Sequence, residues 1–78
     1  MKPLKHLNRL DRLPNSLRQL RAVRGLSLAM VARVVGCSPM VISLIERGAA
    51  PTLLIAWRLA RFYDQLIEEI WAESEARL

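Results

Sequence analysis

Small polar residues stand ahead of apolar runs and glycines stand behind them, and this punctuation divides the chain from Asn15 onward into segments that suit helices of two or three turns. Asn15 or Ser16 caps a first helix to about Arg24, with Leu17, Leu20 and Val23 inward and Gly25 free to end it in the left-handed conformation. Ser27 caps a second helix to Val35 that turns Val31, Ala32 and Val35 inward and stops at Gly36. Ser38 caps a third, with Pro39 at the first helical position, where a missing N–H costs nothing, Ile42 and Ile45 inward, and Gly48 at the end. Thr52 caps a fourth, whose apolar surface is Leu53, Ile55, Ala56, Leu59 and Ala60. A fifth segment runs from about Leu66 to Trp71, and at the joint before it either Asp64 caps this fifth helix or the fourth runs on.

At 78 residues there is room for one core, and hydrophobic residues at 53% with aromatics at only 5% leave Leu, Val, Ile and Ala to fill it, which suits packed helices. The fold class expected is all-α. One cysteine closes no internal disulfide, and one histidine beside it is too small a set for a structural zinc site, so neither metal nor cofactor is expected. No apolar stretch approaches the roughly 20 residues of a membrane span, and the basic start is not followed by a signal-peptide core, so the expectation is a soluble, cytoplasmic protein. Glycine-rich phosphate loops, carboxylate pairs and nucleophile elbows are missing from the sequence, and an enzyme is not expected.

Charge is distributed unevenly. The net charge is +5, but residues 1–26 carry +6, residues 27–61 carry +3 and residues 62–78 carry −4. A basic front with an acidic end orients a chain in the field of a polyanion such as a phosphate backbone. Residues 1–14 read as a basic arm whose Leu4, Leu7, Leu10 and Leu13 drift around a helix, residues 15–72 as the folded domain, and residues 73–78 as an acidic tail. Lys2, Lys5, Arg9 and Arg12 in the arm suit phosphates or a minor groove, or simply water; His6 reads as solvated, and Cys37 as a small, partly buried hydrophobe.

Only Gly36 and Cys37 separate the second and third runs, so the two helices must cross steeply and touch through small residues. Ala32, Gly36, Ile42 and Ile45 follow the spacing of a helix-turn-helix. Arg21 lies on the apolar side of the first helix and Glu46 follows Ile45 on the third; a charge there is costly without a partner, which predicts that the two pair.

The stretch L-R-Q-L-R-A-V-R-G-L-S, residues 17–27, is followed by V-A-R-V-V-G-C-S-P-M-V-I-S-L-I-E-R-G, residues 31–48, and then by R-L-A-R at 58–61 and I-E-E-I-W at 67–71. Together they resemble the Xre family of phage Cro and repressor-type DNA-binding domains over about residues 16–72. The resemblance implies a five-helix, repressor-like bundle whose third helix enters the major groove, usually as a homodimer on half-sites about 34 Å apart. It implies base-edge contacts from Ser38, Pro39, Met40, Ser43 and Leu44, and phosphate contacts from the start of the second helix at Leu28, from Arg47 and from the backbone after Gly48. Arg18 and Arg24 join the phosphate set on charge. Where many members carry glutamine this chain has Leu28, and Pro39, Met40, Val41 and Leu44 replace the usual polar side chains of the reading helix.

Apolar side chains can meet thymine methyl groups but make no bidentate hydrogen bonds to guanine or adenine. The function the resemblance implies is sequence-specific double-stranded DNA binding by a small, repressor-like transcriptional regulator, with affinity supplied mainly through phosphates, helix N-termini and duplex shape. The alternative is a protein-interaction module, an antiactivator or complex subunit, that uses Leu28, Met30, Met40 and Leu44 as an apolar patch. Core packing is the default for Trp57 and Trp71, while Ile67, Ile70 and Trp71 are also candidates for a dimer seam.

Overall fold

The computed structural model describes residues 12–71, and these form five α-helices and no strand. They are α1 (Leu17–Val23), α2 (Leu28–Val35), α3 (Pro39–Glu46), α4 (Leu53–Tyr63) and α5 (Ile67–Ile70). Three starts are made by hydroxyls. Ser27 Oγ accepts from the Met30 N–H at 3.1 Å, Ser38 Oγ from Val41 at 3.2 Å and Thr52 Oγ1 from Ile55 at 3.1 Å, each such cap stabilising by about 1 kcal/mol. At α1 the cap is Asn15, whose Oδ1 accepts from the Leu17 N–H at 3.0 Å; the Ser16 side chain makes no cap bond.

The joint between α4 and α5 takes neither of the forms expected from sequence. Asp64 adopts φ +55° and ends α4 as its left-handed C-cap, a conformation a short polar side chain tolerates. The Leu66 N–H then donates to Glu69 Oε1 at 2.8 Å, so α5 is started by a glutamate reaching back.

Leu17, Val31, Ala32, Val35, Ile42, Ile45, Leu59, Ala60, Tyr63 and Ile70 form one buried cluster drawn from all five helices. Three assignments to the interior are corrected. Val23 is 84% exposed because α1 ends there, and Leu53 is 81% exposed because it opens α4 beyond the reach of its neighbours. Trp57, expected in the core, is 49% exposed and lies under the Arg61 guanidinium, 4.9 Å from its ring centroid. Ile70 is corrected in the opposite sense: at 1% exposure it is spent on the core and cannot supply a dimer seam.

The segment before α1 is bound to the bundle at three points. The Leu13 N–H donates to the Gly48 carbonyl at 2.7 Å, Asn15 Nδ2 donates to the Ile45 carbonyl at 3.0 Å, and the Ser16 N–H donates to the Ile70 carbonyl at 3.1 Å. This ties the chain entry to the end of α3 and the end of α5. The rest of the basic arm and the acidic tail at 73–78 lie outside the described residues. No single helix among the described residues is long and apolar enough to cross a membrane.

Tyr63 gives the core a testable oddity. Its hydroxyl is buried with no hydrogen-bond partner among the described residues, and burial pushes its pKa up. A raised acid pKa in the folded state means that the associated stability is present below the unfolded value and is lost as pH rises, here beyond roughly 10. Tyr63→Phe should therefore match or exceed the wild type by about 1 kcal/mol in urea unfolding at neutral pH. It should also lose less stability than the wild type above roughly pH 10. A variant that is clearly less stable would show that the hydroxyl has a partner.

Candidate nucleic-acid interface

The α2–α3 corner is set by local chemistry. Gly36 takes φ +89°, and its N–H and that of Cys37 both donate to the Ala32 carbonyl, at 2.7 and 3.1 Å, so α2 closes and the chain turns within two residues. Ser38 then restarts the helix, with Pro39 in its first turn. The axes of α2 and α3 bend by 105°, the steep crossing that a helix-turn-helix requires. Val31, Ala32 and Val35 meet Ile42 and Ile45 inside the corner. Cys37 is half-buried in it, and burial raises its thiol pKa, which leaves it protonated and unreactive at neutral pH.

With Ile42 and Ile45 turned in, Met40, Val41 and Leu44 are left exposed on α3, Met40 at 63%. Pro39 and Ser38 are exposed beside them and Ser43 is half-buried. The Ser38 oxygen is engaged as the helix cap. Arg47 follows at the end of α3, exposed, with its Nε donating to the Ser43 carbonyl at 3.4 Å.

Arg21 Nε and Nη2 donate to the two carboxylate oxygens of Glu46 at 2.7 and 3.0 Å, and Nη1 donates to the Leu26 carbonyl at 3.0 Å. This fork clamps α1 and the α1–α2 turn to the last residue of α3, and it raises the Arg21 pKa, chiefly through the hydrogen bond to Glu46. Glu46 is the only carboxylate from Arg12 to Tyr63, so its pairing leaves that whole stretch with uncompensated positive charge.

The remaining arginines divide. Arg18 is exposed on α1. Arg24, expected among the phosphate contacts, is drawn to the end of α4: Nη2 donates to the Tyr63 carbonyl at 3.2 Å and the guanidinium sits 5.1 Å from the Tyr63 ring centroid. That position serves the bundle, where a cation meets a helix C-terminus and an aromatic face. Leu28 packs its side chain against the core, so only its backbone at the start of α2 faces outward chemistry. Met30 is exposed. Ile67 and Trp71 are both half-buried against the core cluster.

Arg12 is the residue whose placement sequence reasoning missed. The Leu13–Gly48 hydrogen bond lays Arg12 across the end of α3, so close that a Cβ on Gly48 would stand 3.2 Å from the Arg12 Cα; Gly48, at φ +117°, has to be glycine. The result is an open cleft of about 280 Å³ lined by Arg12, Leu44, Arg47, Gly48 and Ala49. Two arginines thus meet Leu44 in one cleft at the C-terminal end of the apolar outer face of α3. Only the run of basic residues before Asn15 hinted at this in the sequence; the backbone bond that places Arg12 spans 35 residues.

No group of three or more His, Cys, Asp and Glu able to hold a metal occurs among the described residues. Comparison with known proteins finds a helix-turn-helix family model that matches residues 17–70, more than half of the chain. No curated protein and no solved structure matches. The matched span runs from the first residue of α1 to the last of α5 and so takes in the capped corner, the Arg21–Glu46 clamp and the outward face of α3: the chain belongs to the Xre-type helix-turn-helix family of DNA-binding domains.

Proposed function

We propose that the chain is a small, repressor-like transcriptional regulator that sets α3 in the major groove of double-stranded DNA, acting as a homodimer on an inverted repeat. The observation that carries this reading is the exposed face of α3 with Arg12 and Arg47 gathered in one cleft at its C-terminal end, in a stretch whose one carboxylate is already bound by Arg21. In that pose Arg12, Arg18 and Arg47, with the N–H groups that open α2 at Leu28, meet phosphates, while Pro39, Met40 and Leu44 lie against base edges. Ser43 supplies a hydroxyl, and so does Ser38 beyond its cap bond. Recognition on this face is dominated by phosphates, thymine methyl groups and duplex shape, because it holds no amide or guanidinium that could read a base bidentately. Ile67 and Trp71 remain the residues proposed for a dimer seam.

Binding should be strongly salt-dependent. Each phosphate contact contributes roughly 0.9 to the slope of log K against log salt, so Arg47→Ala and Arg12→Ala should each weaken binding to all duplexes alike and reduce that slope by about one. A salt-titrated mobility shift with the DNA upstream of the chain's own gene reads both quantities. An unchanged slope removes the residue from the phosphate set, and no binding at low salt removes the DNA reading.

Exposure of Met30, Met40 and Leu44 favours the second reading, a protein-interaction module on the same face; Leu28 drops out of that patch because it packs inward. Changing Met40 and Leu44 together to Gln separates the two. Loss of a bound protein by a chain that never binds DNA would select the second reading.

A further inference from the structure

Outside α3, most of the exposed large apolar side chains lie on α2 and α4, Val23 and Leu66 being the others among the described residues. On α4, Leu54, Trp57, Arg58 and Arg61 recur at the three- and four-residue intervals that place side chains on one helical face. Val34 of α2 and Phe62 complete an open cleft of about 280 Å³ with Trp57, Arg58 and Arg61, and no residue of α3 lines it. Val34, Leu54 and Trp57 are exposed, and Val34 and Trp57 line the cleft together, an apolar surface of the kind that marks a binding face. Its cations are held in place. Arg58 Nη1 donates to the Val35 carbonyl at 2.9 Å, and the Arg61 guanidinium lies over the Trp57 ring. Together α2 and α4 carry three arginines, Arg33, Arg58 and Arg61, and no carboxylate.

We propose that this cleft docks an acidic amphipathic helix of a partner protein, one apolar side chain entering between Val34, Trp57 and Phe62 and its flanking carboxylates pairing with Arg58 and Arg61. Charge selects this occupant. A second copy packed through the same face would bring a second Arg58 and Arg61 to a cleft lined by no carboxylate, and like charges gathered there oppose association. A duplex brings phosphates, but its thymine methyl groups line the major groove, which the proposed function gives to α3, and so they do not reach Leu54 and Trp57. An acidic helix offers both the anchor and the anions, and fixed guanidinium groups lose little freedom in binding them. The cleft itself does not depend on the DNA reading, since α3 contributes nothing to it.

The test uses the full 78-residue chain and a fluorescein-labelled synthetic peptide of about four helical turns, with Leu and Phe along one face and Glu on both flanks. Anisotropy should show saturable binding, weakened about tenfold or more by Trp57→Ala, by Arg61→Ala and by a peptide whose Glu are all Gln. Arg61→Lys should retain part of the affinity, because it keeps charge but loses the planar stacking group. Met40→Glu with Leu44→Glu should leave peptide binding unchanged. Circular dichroism of Trp57→Ala should match the wild type, because the ring is half-exposed. Equal binding of the Gln peptide, insensitivity to Trp57→Ala, or no binding would overturn the proposal. So would concentration-dependent dimerisation in sedimentation abolished by Trp57→Ala, which assigns the face to a second copy, or loss of duplex affinity in that variant.

Discussion

Glu46→Ala should destabilise the domain by about 3 kcal/mol, because it leaves a largely buried guanidinium without its counter-ion, and breaking such a pair from one side costs roughly 3–5 kcal/mol. The Arg21 side chain is 19% exposed and that of Glu46 only 5%, so water replaces little of what is lost. For a domain of this size the melting temperature should fall by on the order of 15 °C. Small domains have about 5–15 kcal/mol in total, so the variant approaches the threshold of folding at all. Salt should matter little, since a buried pair is poorly screened. The Arg21 pKa is raised, so its charge, and the stability that goes with it, persists through the whole neutral range and is lost only as pH rises beyond the ordinary arginine value. Replacing both partners, Arg21→Met with Glu46→Leu, should recover much of the loss, because no unpaired charge remains. Thermal unfolding by circular dichroism checks each step. A Glu46→Ala variant within about 0.5 kcal/mol of the wild type would mean that the clamp does not hold α1 to α3.

The second large effect concerns DNA. Met40→Glu with Leu44→Glu places two negative charges on the outward face of α3, where the proposed function puts the duplex. Like charges at an interface cost several kcal/mol, so affinity should fall by about two orders of magnitude or more. The fold should survive. Both positions are exposed, and a carboxylate at Met40 lies in the first turn of α3, where the helix dipole favours it. Fluorescence anisotropy with a labelled duplex, paired with a melting curve, separates the two outcomes. Affinity within threefold of the wild type would move the DNA surface away from α3.

These expectations rest on features that differ in how far sequence exposes them. Caps at Ser27, Ser38 and Thr52 are readable because each is a contact over three residues, and the inward sets of α2 and α3 are readable because they follow the helical period. The Arg21–Glu46 pair is readable for a different reason: two opposite charges sit on apolar faces that have to meet. Val23 and Leu53 escape the same logic. Periodicity says which face a residue shares, but not whether a neighbour extends far enough to cover the end of a helix. Trp57 shares its stripe with Leu54, Arg58 and Arg61, and two arginines on a face already argue for solvent. The Asn15–Ile45 and Leu13–Gly48 bonds cannot be read at all, because each joins backbone groups to partners 30 or more residues away and any residue type supplies a carbonyl. Arg12 owes its place beside Arg47 to one of those bonds, which is why a site for phosphate emerges from the fold and not from a motif. Asp64 shows a subtler limit: the same residue that caps a helix start can end one by taking the left-handed conformation.

In the proposed function the outward face of α3 is the DNA surface. Backbone amide chemical shifts of the labelled chain, recorded as duplex DNA is added at low salt, test it residue by residue. The largest changes should fall at Ser27–Met30, at Ser38 and Met40–Leu44, and at Arg47–Ala49, with Val34, Trp57 and Arg61 nearly unmoved. Shifts concentrated on the α2–α4 cleft, or none at all at duplex concentrations that saturate ordinary non-specific binders, would contradict it.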